Sequence, residues 1–282
     1  ALRHARARAR PARAVGDVSA PAHAHGLGVD DLGEGEPALL LLTGWCSSRE
    51  RWAKAAPLLA EHRRVVSFEW RGHGRSRPAA ADFGTAEMVQ DALSVIEAAG
   101  LRTVIPCSAS HSGWVAIELR RRLGDRVPAI VHLDWMVQEP SNAYMDLLSE
   151  LQDPDRWPHA RDTLFDIWRA GEESKAIAAA IDVMRRQNAE MWMRSGREIE
   201  ASYRRAGSPL RALSAFPSVP AVRHLYGQPT TPEYLDSQLR FADEHDWYSV
   251  CRLDARTHFS MIEAPGEVAS EIERVAATLG PA

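Results

Sequence analysis

Cysteine is scarce in this chain. Cys46, Cys107 and Cys251 are the only three, odd in number and far apart. Their spacing fits no zinc or haem motif and makes no disulfide framework, which points to a reducing, cytoplasmic setting. Long apolar runs are missing too. None approaches the roughly 20 residues that cross a bilayer, so no membrane span is expected. Positive charge is not in excess: the formal net charge is −4, which argues against nucleic acid or an anionic membrane as the main partner. No internal repeat is visible. What remains is the balance of a globular protein, 45% hydrophobic and 26% charged over 282 residues. That length suits one α/β fold carrying an insertion.

The stretch from Ala1 to about His25 stands apart. It is Ala, Arg and His with almost no large apolar residue, and Arg3, Arg6, Arg8, Arg10 and Arg13 crowd its start. It lacks the apolar segment of a secretory signal. The expectation for 1–25 is a disordered extension outside the fold, with a transit peptide as the alternative.

From Gly26 onward strand and helix signals alternate. Short apolar runs at Ala38–Leu42, Val65–Glu69, Thr103–Cys107, Ala129–Leu133, Ala221–Tyr226 and Trp247–Leu253 read as strands buried on both faces. Between them, Val89, Ala92, Leu93 and Ile96 share one face of a helix that Thr85 would cap and Gly100 would end. Val115, Leu119 and Leu123 form a second stripe, and Val268, Ile272, Val275 and Leu279 a third. The alternation predicts an α/β fold of the α/β-hydrolase type, a mostly parallel sheet with helices on both faces. It breaks over 136–216, which is rich in helix formers and aromatics and too long for a loop. This segment is expected to be a helical cap over the carboxyl ends of the strands, with the core formed by 26–135 and 217–282.

Ser108-Ala109-Ser110-His111-Ser112-Gly113 follows a strand and opens a helix. This is the small-x-nucleophile-x-small pattern of a nucleophile elbow, with serines where glycines often stand. The sharp turn throws Ser110 into the pocket and aims the His111 N–H at whatever oxygen binds there. Serines are common in plain turns, so the placement between strand and helix carries the reading. Thr43-Gly44-Trp45 follows the first strong strand, where this fold draws its second oxyanion-hole N–H, here that of Trp45. Trp70-Arg71-Gly72-His73-Gly74-Arg75-Ser76 is a tight structural turn in which His73 is expected to pack rather than catalyse.

Of eleven histidines, His258 lies just past the last strand, where a loop can present an imidazole to Ser110. A histidine base needs an acid to orient it and to offset the imidazolium charge. Asp134 closes the strand ending Leu133-Asp134-Trp135 and is the first candidate. Glu233 is the alternative, because Tyr226-Gly227-Gln228-Pro229-Thr230 carries no carboxylate at the commoner position.

These segments together resemble the cofactor-free 2,4-dioxygenases of 3-hydroxy-4-oxoquinolines. The resemblance runs through Gly44-Trp45-Cys46, Trp70-Arg71-Gly72-His73-Gly74, Ser108 to Trp114 and Leu133-Asp134-Trp135. It continues through the cap in Asp153-Pro154-Asp155-Arg156-Trp157, Phe165-Asp166-Ile167-Trp168 and Arg194-Ser195-Gly196-Arg197, then through Gln228-Pro229-Thr230 and Thr257-His258-Phe259. It implies ring opening by O2 with loss of carbon monoxide and no metal or organic cofactor. The partners would be a small aromatic substrate and O2. The resemblance makes His258 the base for the substrate 3-hydroxyl, Asp134 its partner and Ser110 a hydrogen-bond donor to substrate oxygen. Trp45 and His111 N–H groups would hold developing negative charge, and Trp168 would line the ring pocket.

Ser47 and Ala109 stand where the quinaldine-cleaving members have histidines, and Ser112 where they have glycine. Ser47 and Ala109 are therefore expected to line the substrate site, and a quinolone with a longer alkyl chain is one accommodation. The competing reading is a serine hydrolase in which Ser110 attacks an ester, amide or lactone carbonyl. A non-catalytic ligand-binding relative of the fold is a third, against which the retained serine, acid and histidine speak.

Overall fold

A computed structural model describes residues 26–279. The Arg-rich stretch 1–25 lies outside the described residues. Seven strands form one sheet: β1 (Val29–Leu32), β2 (Ala38–Leu42), β3 (Val65–Phe68), β4 (Val104–Ala109), β5 (Ala129–Leu133), β6 (Ala221–Tyr226) and β7 (Tyr248–Arg252). Their order is β1-β3-β2-β4-β5-β6-β7, with β1 antiparallel to β3 and every other pair parallel.

The central strands are buried on both faces, as their unbroken apolar runs require. Successive residues serve opposite layers. Ala38, Leu40 and Leu42 pack with α2 (Thr85–Ala98) and α3 (Gly113–Leu123). Leu39 and Leu41 pack with α1 (Ala55–Ala60) and α11 (Pro265–Thr278). The α2 stripe buries Val89, Ala92 and Ile96 as expected. Its start differs from the expectation: Gly84, not Thr85, is the N-cap. The free N–H of Gly84 donates to Glu87 at 2.7 Å and that of Thr85 to Glu198 at 2.9 Å, so carboxylates satisfy this helix end in place of a hydroxyl.

Between β5 and β6 the chain builds five helices, α4 (Asn142–Glu150), α5 (Trp157–Arg169), α6 (Lys175–Arg185), α7 (Ala189–Ala206) and α8 (Pro209–Ser214). Glu198, just named at the head of α2, belongs to α7 and fastens it to the sheet layer. Arg194 pairs with Asp82 at 2.7 Å, and the Tyr203 hydroxyl donates to the Met136 carbonyl at 2.7 Å. After β6 come α9 (Pro232–Glu244) and, past β7, the short α10 (Ser260–Glu263).

Strand order positions the site. β2 leads to β3 on one side, and the chain then crosses to β4 on the other, which makes a switch point at the carboxyl edge. Leu42 is opposite Ser108, and Ala109 is opposite Leu133. The turns carrying Trp45, Ser110 and Asp134 therefore leave three neighbouring strands side by side.

Candidate active site

Ser110 and Asp134 each adopt positive φ, 54° and 46°, directly after their strands. Non-glycine residues rarely occupy this region, and the conformation turns each chain sharply at the pocket edge. The Ser110 turn is the elbow the sequence predicts. Gly44 sits beside it: a Cβ there would be 3.3 Å from both the Ala109 carbonyl oxygen and the Ser110 Cβ. Gly113 is needed because the Trp135 indole occupies the space a side chain would take, 2.1 Å from a Cβ.

The Trp45 turn is fixed from behind by His73. The Cys46 N–H donates to His73 Nε2 at 3.0 Å, and His73 Nδ1 donates to the Arg71 carbonyl at 3.1 Å. Trp70 Nε1 donates to the Thr43 carbonyl at 2.8 Å. His73 thus packs and positions, as its motif suggested. Among the described residues the Trp45 N–H has no protein acceptor, which leaves it able to serve a ligand oxygen.

A cavity of about 420 Å³ lies where the strand ends meet the inserted helices. Ser110, His111, Asp134, Trp168 and His258 all line it. Its walls are mostly apolar, with Met136, Leu164 and Ile167 among them, the composition of a small-molecule site. Glu233 is exposed on the first turn of α9 and is not in this wall, whereas Asp134 is.

The expected link between Asp134 and His258 takes another form. No hydrogen bond joins the two side chains. The Asp134 carboxylate accepts from the Gly227 N–H at 2.9 Å, and from the Ser260 N–H at 3.0 Å and its hydroxyl at 2.5 Å. It therefore ties down the loop two residues beyond His258. Burial raises its carboxyl above the ordinary range, against the lowering effect of these hydrogen bonds and of Arg51. Burial also lowers the His258 imidazole well below its usual range, and the positive charge of Arg51 adds to this. The imidazole is neutral at pH 7, the state a general base needs.

Two site residues carried no sequence signal. Tyr144 on α4 is bonded to His111 Nε2 at 2.8 Å, and Trp135 Nε1 reaches His111 Nδ1 at 3.2 Å. An indole N–H can only donate, so Nδ1 accepts, Nε2–H donates to Tyr144, and the phenolic proton is free for a ligand. Burial raises the phenol, which keeps that proton in place. Arg51 is the second. It lies in a 3₁₀ turn, Arg49–Trp52, is 6% exposed, and donates to the His258 carbonyl at 2.8 Å.

Ser47 and Ala109 do not join the cavity. Cys46 has φ 61°, which turns the chain away after Trp45 and leaves Ser47 lining a separate groove beside α6. Ala109 is the last residue of β4 and packs into the layer with Leu133 and Leu225. Among the described residues no group of three or more His, Cys, Asp or Glu side chains is placed to hold a metal ion, and no helix is long and apolar enough to cross a membrane.

Comparison with known proteins bears on this site. The sequence profile of the α/β hydrolase fold matches residues 37–173. The chain is 36% identical over 248 residues to a 2-heptyl-3-hydroxy-4(1H)-quinolone dioxygenase of Mycobacteroides abscessus, covering 86% of this chain and 91% of that protein. It is 36% identical over 241 residues to the 1H-3-hydroxy-4-oxoquinoline 2,4-dioxygenase of Pseudomonas putida, covering 84% and 90%. The chain belongs to the 3-hydroxy-4-quinolone dioxygenase family. A solved member that cleaves the ring of the Pseudomonas quinolone signal, in complex with its substrate, superposes with a TM-score of 0.84 at 35% identity over 89% of this chain and 96% of that one. The family likeness spans the inserted helices as well as the sheet, so it reaches the roof of the cavity and not the hydrolase core alone.

Proposed function

We propose that the protein opens the nitrogen ring of a 3-hydroxy-4-quinolone with O2, releases carbon monoxide, and uses no metal or organic cofactor. The observation that carries this reading is that Ser110, Trp168 and a neutral His258 share one apolar cavity in a member of this dioxygenase family. His258 removes the substrate 3-hydroxyl proton. The resulting ring anion is electron-rich enough to reduce O2 itself. Ser110 donates to a substrate oxygen, and the N–H groups of Trp45 and His111 hold the negative charge that develops. Asp134 fixes the base through its loop and offsets the imidazolium charge. Trp168 forms one wall for the ring.

The bicyclic ring fits a cavity of about 420 Å³ with room to spare. Ile167 lies at its wall and is 53% exposed, which suits an alkyl chain at the substrate 2-position running toward the mouth. The free cysteines Cys46, Cys107 and Cys251 support a cytoplasmic setting. The test is anaerobic mixing with 3-hydroxy-4-quinolones of increasing chain length, followed by admission of O2. A spectral change on binding, then O2-dependent loss of the bound anion, is the expected result. No spectral change with any of them would overturn the reading.

A further inference from the structure

Arg51 is an unusual cation. It is almost fully buried and makes no direct ion pair among the described residues, only a longer-range charge interaction with Asp134, whereas its neighbour Arg49 pairs with Asp30 at 2.6 Å. Its Nη2 donates to the His258 carbonyl at 2.8 Å, its Nη1 is at the limit of hydrogen bonding with Ser47 at 3.5 Å, and its guanidinium carbon lies 4.5 Å from the centre of the Phe259 ring. Its Nε is buried with no partner at all. A buried charge left this way is costly unless something answers it.

Arg51 also lines a second, much smaller cavity of about 20 Å³, which shares Ser110 and His258 with the larger one. That volume holds one small molecule. Leu151, Met184 and Ile199 give it an apolar side, and Arg51, Ser110, Tyr144 and His258 a polar one.

The geometry points to Arg51 as the residue that makes O2 reducible at this site: its unpaired guanidinium stabilises the negative charge that oxygen acquires in the small cavity beside the bound ring. The inference rests on the dioxygenase reading. One electron passes from the ring anion to O2, giving a ring radical and superoxide. These two combine through a new carbon–oxygen bond to a peroxide anion, so no further oxidant or reductant enters, and the 3-hydroxyl proton stays on His258. Neutral O2 gains little from the guanidinium, whereas superoxide and peroxide gain much. The interaction therefore acts on the step and not on binding.

The test is a two-stage single turnover. Enzyme and quinolone are mixed without air, the spectral change of ring deprotonation is recorded, and decay of the anion is followed at several O2 concentrations. Arg51→Met is expected to keep the anaerobic spectral change and to slow the bimolecular reaction with O2 by about 10²-fold, the scale for one preorganised electrostatic contact. Arg51→Lys keeps the charge and should stay within several-fold of wild type. Should the methionine variant fail to fold, Arg51→Gln takes its place with the same expectation. A wild-type O2 rate in the neutral variant overturns the inference, and so does a lysine variant as slow as the neutral one. Absence of O2-dependent decay in the wild type would instead overturn the dioxygenase reading, and the inference with it.

Discussion

The His258 imidazole lies nearly parallel to the Trp168 indole, with 17° between planes and 5.0 Å between centroids, and the His258 N–H donates to the Trp168 carbonyl at 2.8 Å. His258 sits on the loop after β7 and Trp168 on inserted helix α5, so the core and the inserted helices meet at this pair. Trp168→Ala should loosen both the ring wall and the base. The expected result is a raised KM together with a lowered kcat, in a variant that still melts cooperatively. Steady-state kinetics beside a thermal melt checks this; a change in KM alone would reduce Trp168 to a binding wall.

Removing the base itself has a larger cost. His258→Ala should lower turnover by about 10²–10⁴-fold, the range for general acid–base catalysis. It should also abolish the anaerobic spectral change of ring deprotonation. Near-normal turnover in the folded variant would remove His258 from the role.

The acid is tested by comparison. Asp134→Asn loses the charge and weakens the hold on Ser260, so it should reproduce part of the His258 defect. Glu233→Gln, at an exposed site, should leave kcat/KM near wild type. The opposite ranking would move the acid to α9.

The pH dependence follows from burial. His258 is held well below its ordinary range by burial first, then by the positive charge of Arg51. The acid limb of kcat/KM should therefore fall below pH 6.5, with activity persisting where a free imidazole is already protonated. A limb at or above that value would contradict the assignment.

Stability has its own acid edge. Burial holds His73 at about 4, His111 and His132 at about 3, and His224 at about 4. In the unfolded chain these groups take up protons near pH 6.5, and in the folded chain they do not. Their contribution to stability is complete above that pH and is lost as pH falls from about 6.5 toward 4 and 3. Each group costs up to about 1.4 kcal/mol per pH unit within its window. Chemical denaturation at pH 7 and pH 5 should show a marked drop in midpoint, and a flat profile would contradict the buried neutral histidines.

Much of this was legible in the sequence, for physical reasons. The central strands β2, β4 and β5 read as buried runs because both their faces are covered, and the elbow is a fixed order of small residues around Ser110. The antiparallel strand β1 was not seen, because Val29–Leu32 is short and only Val29 is buried. The expectation that Ser47 and Ala109 line the pocket comes from the resemblance, which puts histidines of the quinaldine-cleaving members at these positions. The positive φ at Cys46 and the strand alternation at Ala109 direct them elsewhere. Arg51 gave no signal, since an arginine in Arg49-Glu50-Arg51 reads as a solvated charge and only the tertiary fold buries it. Tyr144 showed as one aromatic among many in the cap, and its role depends on a hydrogen-bond direction that begins at Trp135.

The central claim is that the ring is opened by O2 and not by a serine acyl-enzyme. The most direct measurement is carbon monoxide release beside O2 uptake from a 2-alkyl-3-hydroxy-4-quinolone, for wild type and for Ser110→Ala. The account predicts equal amounts of the two gases in both proteins. The variant should be slowed by about 5- to 150-fold, the cost of one hydrogen bond to substrate. Ester turnover that is indifferent to O2 and disappears with Ser110, with no carbon monoxide from any quinolone, would contradict it.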